Sequence, residues 1–220
     1  MRQQVILFDL DGTLTDPAEG ITNAIAHALT YYGIHITDKR TLLPLIGPPL
    51  HDSFMRHYGM DEGTAREAID HYREHFATKG LFENQVYPGV EEMLRQLHAT
   101  GKQLVVATSK PELFAVRILE HFGLAKYFVS ICGAPMYPPT GFGKTDVIKD
   151  ALRRIELSDP ATAIMVGDRE HDISAAHAVG MQAVGVLYGY GDRTELEACK
   201  ADYIVSSVED LANLLREATA

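Results

Sequence analysis

The sequence predicts an α/β protein, with a Rossmann-like parallel sheet core and an inserted all-α helical cap domain. Three observations support this fold class. Apolar runs of strand length recur along the chain, amphipathic helical windows separate them, and one long region after the first run contains helical patterns only. Strands that alternate with helices are typical of a parallel sheet. A strand-free region inside this alternation indicates an insertion.

The predicted strands are the apolar runs at 5–9, 103–108, 128–132, 162–167 and 183–187, with a weaker run at 202–205. Helical spacing of apolar residues appears between them. Val90, Met93, Leu94 and Leu97 share one helix face, and similar faces occur within 147–155 and 208–215. These helices are expected to cover the sheet.

The region 15–82 departs from this alternation. Apolar residues from Ile21 to Tyr32 follow helical spacing, and further helical stretches lie at 50–58 and 62–79. Asp16-Pro17 and Tyr87-Pro88-Gly89 are typical of turns or hinges and flank the region. We therefore predict a core domain of residues 1–15 and 86–220 and a helical cap domain of residues 16–85.

Composition limits the classes of partner. With 220 residues and a formal net charge of -10, the chain is not expected to bind nucleic acid, which requires many Lys and Arg contacts. No apolar stretch approaches the roughly 20 residues that span a bilayer, so no membrane association is expected. The start of the chain lacks the pattern of a secretory signal, which predicts a cytoplasmic protein. Cys132 and Cys199 are isolated and are assigned no chemistry.

Gly143-Lys144-Thr145 resembles the end of a nucleotide-binding phosphate loop. The loop needs a glycine five positions before Gly143, but Pro138 stands there and Pro139 follows it. Prolines provide no backbone N–H donor for a phosphate. Nucleotide binding by this loop is therefore rejected, and Lys144 is expected to serve another site.

Two pairs of aspartates follow predicted strands. Asp9 and Asp11 would face one side if the first strand continued through Asp11, and Asp168 and Asp172 follow the strand at 162–167. Ligands bind at the carboxyl ends of parallel strands. Converging carboxylates would repel one another by about 4 kcal/mol per pair at 4 Å and a dielectric of 20. The four aspartates therefore predict a metal site, and an open oxygen-lined site favours Mg²⁺.

A third strand end adds groups that can bind an anion. Thr108 offers a hydroxyl, with Ser109 as an alternative, and Pro111 fits the first position of a helix whose free amides can accept a phosphate. Lys144, at the start of a later helix, would hold a phosphoryl oxygen and keep a nucleophile ionised. Lys110 is a rival for this role, with Lys144 preferred from its position.

These motifs resemble those of haloacid dehalogenase superfamily phosphatases with an inserted helical cap, and the resemblance covers nearly the whole chain. It rests on Asp9-x-Asp11-Gly12-Thr13, Thr108, Lys144 and Gly167-Asp168-x-x-x-Asp172. Gly47-Pro48-Pro49-Leu50 and the stretch 188–193 are similar to the phosphoglycolate phosphatase-like branch. The resemblance therefore implies a phosphoric monoester hydrolase whose cap closes over a small phosphorylated metabolite, with 2-phosphoglycolate as the first choice.

The resemblance also implies roles for individual residues. Asp9 would attack phosphorus and become an aspartyl-phosphate, while Asp11 would protonate the leaving oxygen and later activate water. Mg²⁺ would be held by Asp9, the carbonyl of Asp11 and Asp168, with Asp172 acting through water. Thr108, Ser109 and Lys144 would bind the phosphoryl group. Gly47 and Pro48 would contact the substrate from the cap.

Three other functions stay open from the sequence. A phosphosugar mutase or a 5′-nucleotidase could use the same scaffold. A phospho-receiver signalling domain also combines a phosphorylated Asp, a hydroxyl and a Lys, but it lacks an acid two residues after that Asp and has no long cap. The oligomeric state is expected to be a monomer or a weak homodimer.

Overall fold

The computed structural model describes residues 4–47 and 49–217. The chain divides into two compact units, one formed by Met1–Asp16 with Val86–Ala220 and the other by Pro17–Gln85. The sequence placed Asp16 in the cap domain, whereas this division leaves it with the first unit. Within the described residues, no helix is long and apolar enough to cross a membrane.

The strands of the described chain are, in order, β1 (Val5–Phe8), β2 (Thr15–Asp16), β3 (Gln85–Val86), β4 (Gln103–Pro111), β5 (Ser130–Ala134), β6 (Ala163–Gly167), β7 (Gln182–Val186) and β8 (Tyr203–Val205). Six of them form a parallel sheet in the order β5-β4-β1-β6-β7-β8. The predicted parallel sheet is therefore confirmed. The short strands β2 and β3 pair separately, where the chain leaves and re-enters the first unit.

The α-helices of the described chain are α1 (Ala18–Thr30), α2 (Leu50–Tyr58), α3 (Glu62–His75), α4 (Val90–Ala99), α5 (Glu112–His121), α6 (Lys144–Arg154), α7 (Glu170–Ala178), α8 (Arg193–Ala198) and α9 (Val208–Glu217). Shorter 3-10 segments occur at Lys39–Leu45, Ala125–Tyr127 and Pro160–Thr162, and a π-helical turn follows α3 at Phe76–Gly80. The helices predicted in the insertion, including 50–58, are present.

The centre of the sheet positions the site. All four residues of β1 are buried, and β1 pairs with β4 on one side and β6 on the other, so that Phe8 lies beside Val106 and Val166. A strand enclosed on both faces needs a continuous apolar run, which Val5–Phe8 supplies. The carboxyl ends of β1, β4 and β6 therefore lie next to one another.

One face of this sheet packs against α6 and α7. Val5, Leu7 and Met165 point into a buried cluster with Val147 and Ile148 of α6. Each fully buried aliphatic side chain contributes roughly 1.5–3 kcal/mol of transfer free energy. This packing fixes the first turns of α6 and α7, which carry Lys144 and Asp172.

The strand boundaries differ from prediction where the functional loops begin. β1 ends at Phe8, one residue before the predicted end, so the condition that the strand continues through Asp11 is not met. The Asp9 amide still donates to Val166 O at 2.9 Å, after which the chain turns away. β4 runs past the predicted end to Pro111, with a shift in register between Thr108 and Pro111. Local turns, rather than the two-residue strand repeat, therefore position the side chains that follow.

Candidate active site

The loop after β1 is a tight turn closed by the carbonyl of Leu10. The Leu14 and Thr15 amides donate to Leu10 O at 2.9 and 3.0 Å, and the Gly12 amide donates to Thr15 O at 2.8 Å. Gly12 has φ +83°, and a Cβ there would overlap the Asp168 carboxylate. Only glycine combines this backbone conformation with so close an approach. The turn thus brings the first aspartate pair against the loop that follows β6.

Three of the predicted aspartates converge. Each of Asp9, Asp168 and Asp172 contributes one carboxylate oxygen to a group whose members all lie within 4.8 Å of one another. All three residues are buried, with exposed fractions of 8%, 1% and 3%. Asp9 follows β1, Asp168 follows β6, and Asp172 lies in the first turn of α7. The structure therefore brings together residues that are far apart in the chain, as the sequence predicted.

Lys144 lies inside this group. Its Nζ is 2.6 Å from Asp9 Oδ1 and 2.6 Å from Asp172 Oδ1, and the residue is 7% exposed. Burial alone would lower the pKa of Lys144, but the attraction of Asp172 and Asp9 outweighs it and raises that pKa. The ammonium therefore stays charged, and it donates to Asp9 Oδ1 at 2.6 Å.

Asp11 points to a different partner. Lys110 Nζ lies 2.5 Å from Asp11 Oδ2, and both side chains are largely buried. Burial raises the pKa of Asp11 despite the opposing effect of Lys110. The sequence treated Lys110 only as a rival of Lys144, whereas the structure places both lysines at the site, Lys110 on Asp11 and Lys144 on Asp9 and Asp172. The separation of the two lysines depends on the turn at the end of β4, which no local pattern revealed.

The acidic group fits a divalent cation. Asp168 Oδ2 accepts the Tyr190 N–H at 2.7 Å, while Asp168 Oδ1 is buried without a hydrogen-bond partner. Burial, and then repulsion by Asp172 and Asp9, raises the pKa of Asp168 well above its usual range. When ionised, the three carboxylates carry two more negative charges than the single ammonium of Lys144 offsets. A hard divalent ion with oxygen ligands satisfies both the orphaned oxygen and the charge.

Thr108 is the last of five consecutive buried residues of β4. It is 2% exposed, and its hydroxyl accepts the Lys110 N–H at 3.2 Å. Ser109 is exposed, and Pro111 closes β4 instead of occupying the first helical position, because α5 begins at Glu112. The prediction for Pro111 is therefore wrong by one residue, since Pro111 is the N-cap of α5. The choice between Thr108 and Ser109 as the phosphate hydroxyl stays a prediction.

A model of the haloacid dehalogenase-like hydrolases matches residues 6–186, which include both aspartate pairs, Thr108 and Lys144. The chain belongs to this family. A solved structure described as a predicted phosphatase from Clostridium acetobutylicum has a TM-score of 0.93 and 45% identity to this hydrolase, covering 99% of this chain and 100% of that one. The fold class and the phosphatase activity expected from the sequence are thereby confirmed.

Three curated relatives carry more specific names. A 5′-nucleotidase from Pseudomonas aeruginosa is 42% identical over 215 residues, covering 98% of this chain and 96% of that protein. Tyrosine-protein kinase PtkA from Mycobacterium tuberculosis is 40% identical over 188 residues, covering 86% of this chain and 63% of that protein. A phosphoglycolate phosphatase from Vibrio parahaemolyticus is 28% identical over 220 residues, covering 96% of each.

Of the two cap residues predicted to bind substrate in this haloacid dehalogenase-like hydrolase, the structure describes Gly47 alone. Gly47 belongs to the helical unit, just after the 3-10 segment Lys39–Leu45, and it is exposed with φ +104°. Pro48 lies outside the described residues. The role of both residues in substrate binding stays a prediction.

The loop after β7 is a part of the site that the sequence did not assign. We call residues 188–191 the tyrosine loop. A Cβ on Gly189 would lie 2.5 Å from Asp168 Oδ2, and a Cβ on Gly191 would overlap the Asp168 carbonyl oxygen. The sequence identified this stretch only as a branch resemblance. The local sign of this role in the sequence was a tyrosine, Tyr190, between two glycines. Glycines have no side chain, so the backbone can approach a buried carboxylate.

Replacing Gly191 by alanine tests whether the close contact between the tyrosine loop and Asp168 matters for activity. The added methyl group meets backbone atoms that cannot move aside, so the loop must shift and Asp168 loses the Tyr190 N–H. Because a hydrogen bond to a charged group is worth about 1.5–3 kcal/mol, we expect kcat/KM for phosphate esters to fall about tenfold or more. Gly63→Ala is the matched control, since only Asp61 Oδ1 lies near its added Cβ, at 3.5 Å. Equal activity of the Gly191→Ala and Gly63→Ala proteins would contradict this role.

Proposed function

We propose that this phosphatase hydrolyses small phosphomonoesters with Mg²⁺ through an aspartyl-phosphate on Asp9. The observation that carries the proposal is the buried group of Asp9, Asp168 and Asp172 around Lys144, with its excess of two negative charges when the carboxylates are ionised. Such an arrangement is costly unless a cation completes it. The family match and the names of the relatives support phosphoryl chemistry.

Asp9 is proposed as the nucleophile. Its carboxylate lies at the end of the central strand, and its Oδ1 is bound by Lys144 at 2.6 Å. This contact with a charged ammonium limits the rotation of the carboxylate. An ionised, oriented carboxylate can attack phosphorus in line with the departing oxygen.

Asp11 is proposed as the general acid and base. Burial raises its pKa, which increases the fraction of protonated carboxyl available to donate to the leaving oxygen. After this donation the carboxylate can take a proton from the water that attacks the aspartyl-phosphate. Asp11 Oδ1 is buried without a hydrogen-bond partner, so it remains available for this transfer, while Lys110 fixes Oδ2.

The remaining groups are proposed to neutralise the negative charge of the phosphoryl group. Asp9, Asp168 and the backbone carbonyl of Asp11 would hold Mg²⁺, with Asp172 assisting through water. When bound, the ion supplies the positive charge that lets one anion attack another. Lys144 and the hydroxyl of Thr108, with Ser109 beside it, would bind the phosphoryl oxygens.

The substrate is proposed to be a small phosphorylated metabolite. We place nucleoside 5′-monophosphates before 2-phosphoglycolate, because the relative named 5′-nucleotidase is more similar than the one named phosphoglycolate phosphatase. The sequence had favoured 2-phosphoglycolate. A cytoplasmic location and a monomeric or weakly dimeric state are part of the same proposal and stay predictions.

A substrate panel tests this function. Purified protein is supplied with a nucleoside monophosphate, 2-phosphoglycolate and a hexose phosphate, with Mg²⁺ or with chelator, and inorganic phosphate is measured. We expect Mg²⁺-dependent release from at least one ester and none with chelator. An isomerised sugar without free phosphate would indicate a mutase. Transfer of the phosphoryl group to a tyrosine peptide without free phosphate would indicate kinase chemistry, and either result would contradict hydrolysis.

A further inference from the structure

The tyrosine loop contacts the acidic group through its backbone. Tyr190 N–H donates to Asp168 Oδ2 at 2.7 Å, and the glycines on either side have no room for a side chain against Asp168. The bond occupies Oδ2 of Asp168, while Oδ1 is buried without a hydrogen-bond partner. The backbone of Tyr190 therefore sets the orientation of a carboxylate assigned to the ion site.

The side chain of Tyr190, unlike its backbone N–H, points towards the segment 13–16. Tyr190 hydroxyl donates to Asp16 Oδ1 at 2.5 Å, across 174 positions of sequence. Asp16 is the last residue of the first unit before the chain enters the helical unit at Pro17. Burial, followed by the hydrogen bond to Asp16, raises the pKa of Tyr190, so the hydroxyl keeps its proton and remains a donor.

A second tyrosine strengthens the connection between the two segments. Tyr188 hydroxyl donates to Thr13 O at 3.1 Å, so the tyrosine loop binds the segment 13–16 at both ends. The ring of Tyr188 also packs edge-on against Tyr87, with ring centroids 5.1 Å apart. Tyr87 directly follows β3, where the chain returns to the first unit. The loop is therefore in contact with the departing and the returning chain.

We propose that Tyr190 is a positioning residue that couples the ion site at Asp168 to the segment 13–16. If Asp168 held a cation, its carboxylate would be restrained. Because that carboxylate accepts the Tyr190 N–H and the Tyr190 hydroxyl donates to Asp16, the restraint would extend to the segment 13–16. The inference rests on the ion site of the proposed function. Coupling between two sites is reciprocal, so the segment 13–16 in turn affects ion affinity.

Hydrogen exchange with and without Mg²⁺ tests this coupling, with calorimetry reporting Mg²⁺ binding on the same proteins. In the unmodified protein, saturating Mg²⁺ should slow amide exchange in residues 13–16. In Tyr190→Phe, which keeps the backbone donor and loses the hydroxyl, Mg²⁺ should still bind, with affinity about five- to tenfold lower. Exchange in residues 13–16 should then respond little to the ion.

Two further variants make the test specific. Tyr203→Phe removes the hydroxyl of a partly exposed tyrosine on β8 and should behave like the unmodified protein. Asp16→Ala removes the same hydrogen bond from its other end and should reproduce Tyr190→Phe, which keeps the test valid if Tyr190→Phe does not fold. Non-additivity in the double variant would show that both changes act on one interaction.

The outcomes separate this inference from the proposed function. If Mg²⁺ binds the unmodified protein but does not slow exchange in residues 13–16, the coupling is wrong and the ion site stands. The same holds if Mg²⁺ slows exchange in the Tyr190→Phe and Asp16→Ala proteins as much as it does in the unmodified protein. If calorimetry detects no Mg²⁺ binding to the unmodified protein, both the ion site and the coupling are overturned.

Discussion

Asp9→Asn is expected to abolish turnover while leaving the protein folded. The amide cannot attack phosphorus, so the covalent step is lost, and removal of a nucleophile typically costs at least about 10⁴-fold in kcat. The change is nearly isosteric, and the Asp9 backbone bond to Val166 does not depend on the side chain. The measurement is phosphate release at saturating ester and Mg²⁺, beside a thermal unfolding curve.

The comparison with Lys144→Met sharpens this prediction. That variant removes the ammonium from Asp9 and Asp172 but retains the nucleophile, so we expect reduced turnover and a loss of stability from two unpaired buried carboxylates. Asp9→Asn should therefore be the less active and the more stable of the two. Substantial turnover by Asp9→Asn would remove Asp9 as the nucleophile.

Asp168→Asn should stabilise the protein in the absence of divalent ions. Asp168 is 1% exposed, has no ion-pair partner within the described chain, and is repelled by Asp172 and Asp9. A neutral amide relieves this repulsion, and its oxygen can still accept the Tyr190 N–H. We expect the free energy of unfolding in chelator to rise by about 1–4 kcal/mol, the range by which replacing a buried ion pair with neutral residues can stabilise a protein.

The same variant should lose its response to Mg²⁺. The unmodified protein is expected to gain stability as the ion is added, because ligand binding to the folded state stabilises it. Asp168→Asn should gain little and should have low activity. Asp70→Asn is a suitable control, since the Asp70 side chain is 66% exposed and surface pairs contribute little. A lower stability of Asp168→Asn in chelator would show that the carboxylate is not under electrostatic strain.

The sheet was predictable because burial leaves a strong local pattern. A central parallel strand is enclosed on both faces, and Val5–Phe8 is apolar throughout. The helices over the sheet carry apolar stripes, as Val147 and Ile148 illustrate. The aspartates could be placed together because each follows a strand and parallel strands share one functional edge.

Other features depend on contacts between distant residues. Lys110 could not be assigned to Asp11, because the turn that aims it arises from a register shift between β4 and β5. The end of β1 at Phe8 is set by the turn around Leu10 rather than by strand propensity. The hydrogen bonds of Tyr190 to Asp168 and Asp16 could not be predicted, because the flanking glycines are the one local sequence feature connected with them.

Trapping the covalent intermediate tests the central claim most directly. In Asp11→Asn, para-nitrophenyl phosphate needs little help from a general acid, whereas hydrolysis of the aspartyl-phosphate loses its base. We expect a burst of nitrophenolate matching the enzyme concentration, then slow turnover, and tandem mass spectrometry should locate the phosphoryl group on Asp9. Nitrophenolate release with an unmodified Asp9, or a phosphoryl group on another residue, would contradict the account.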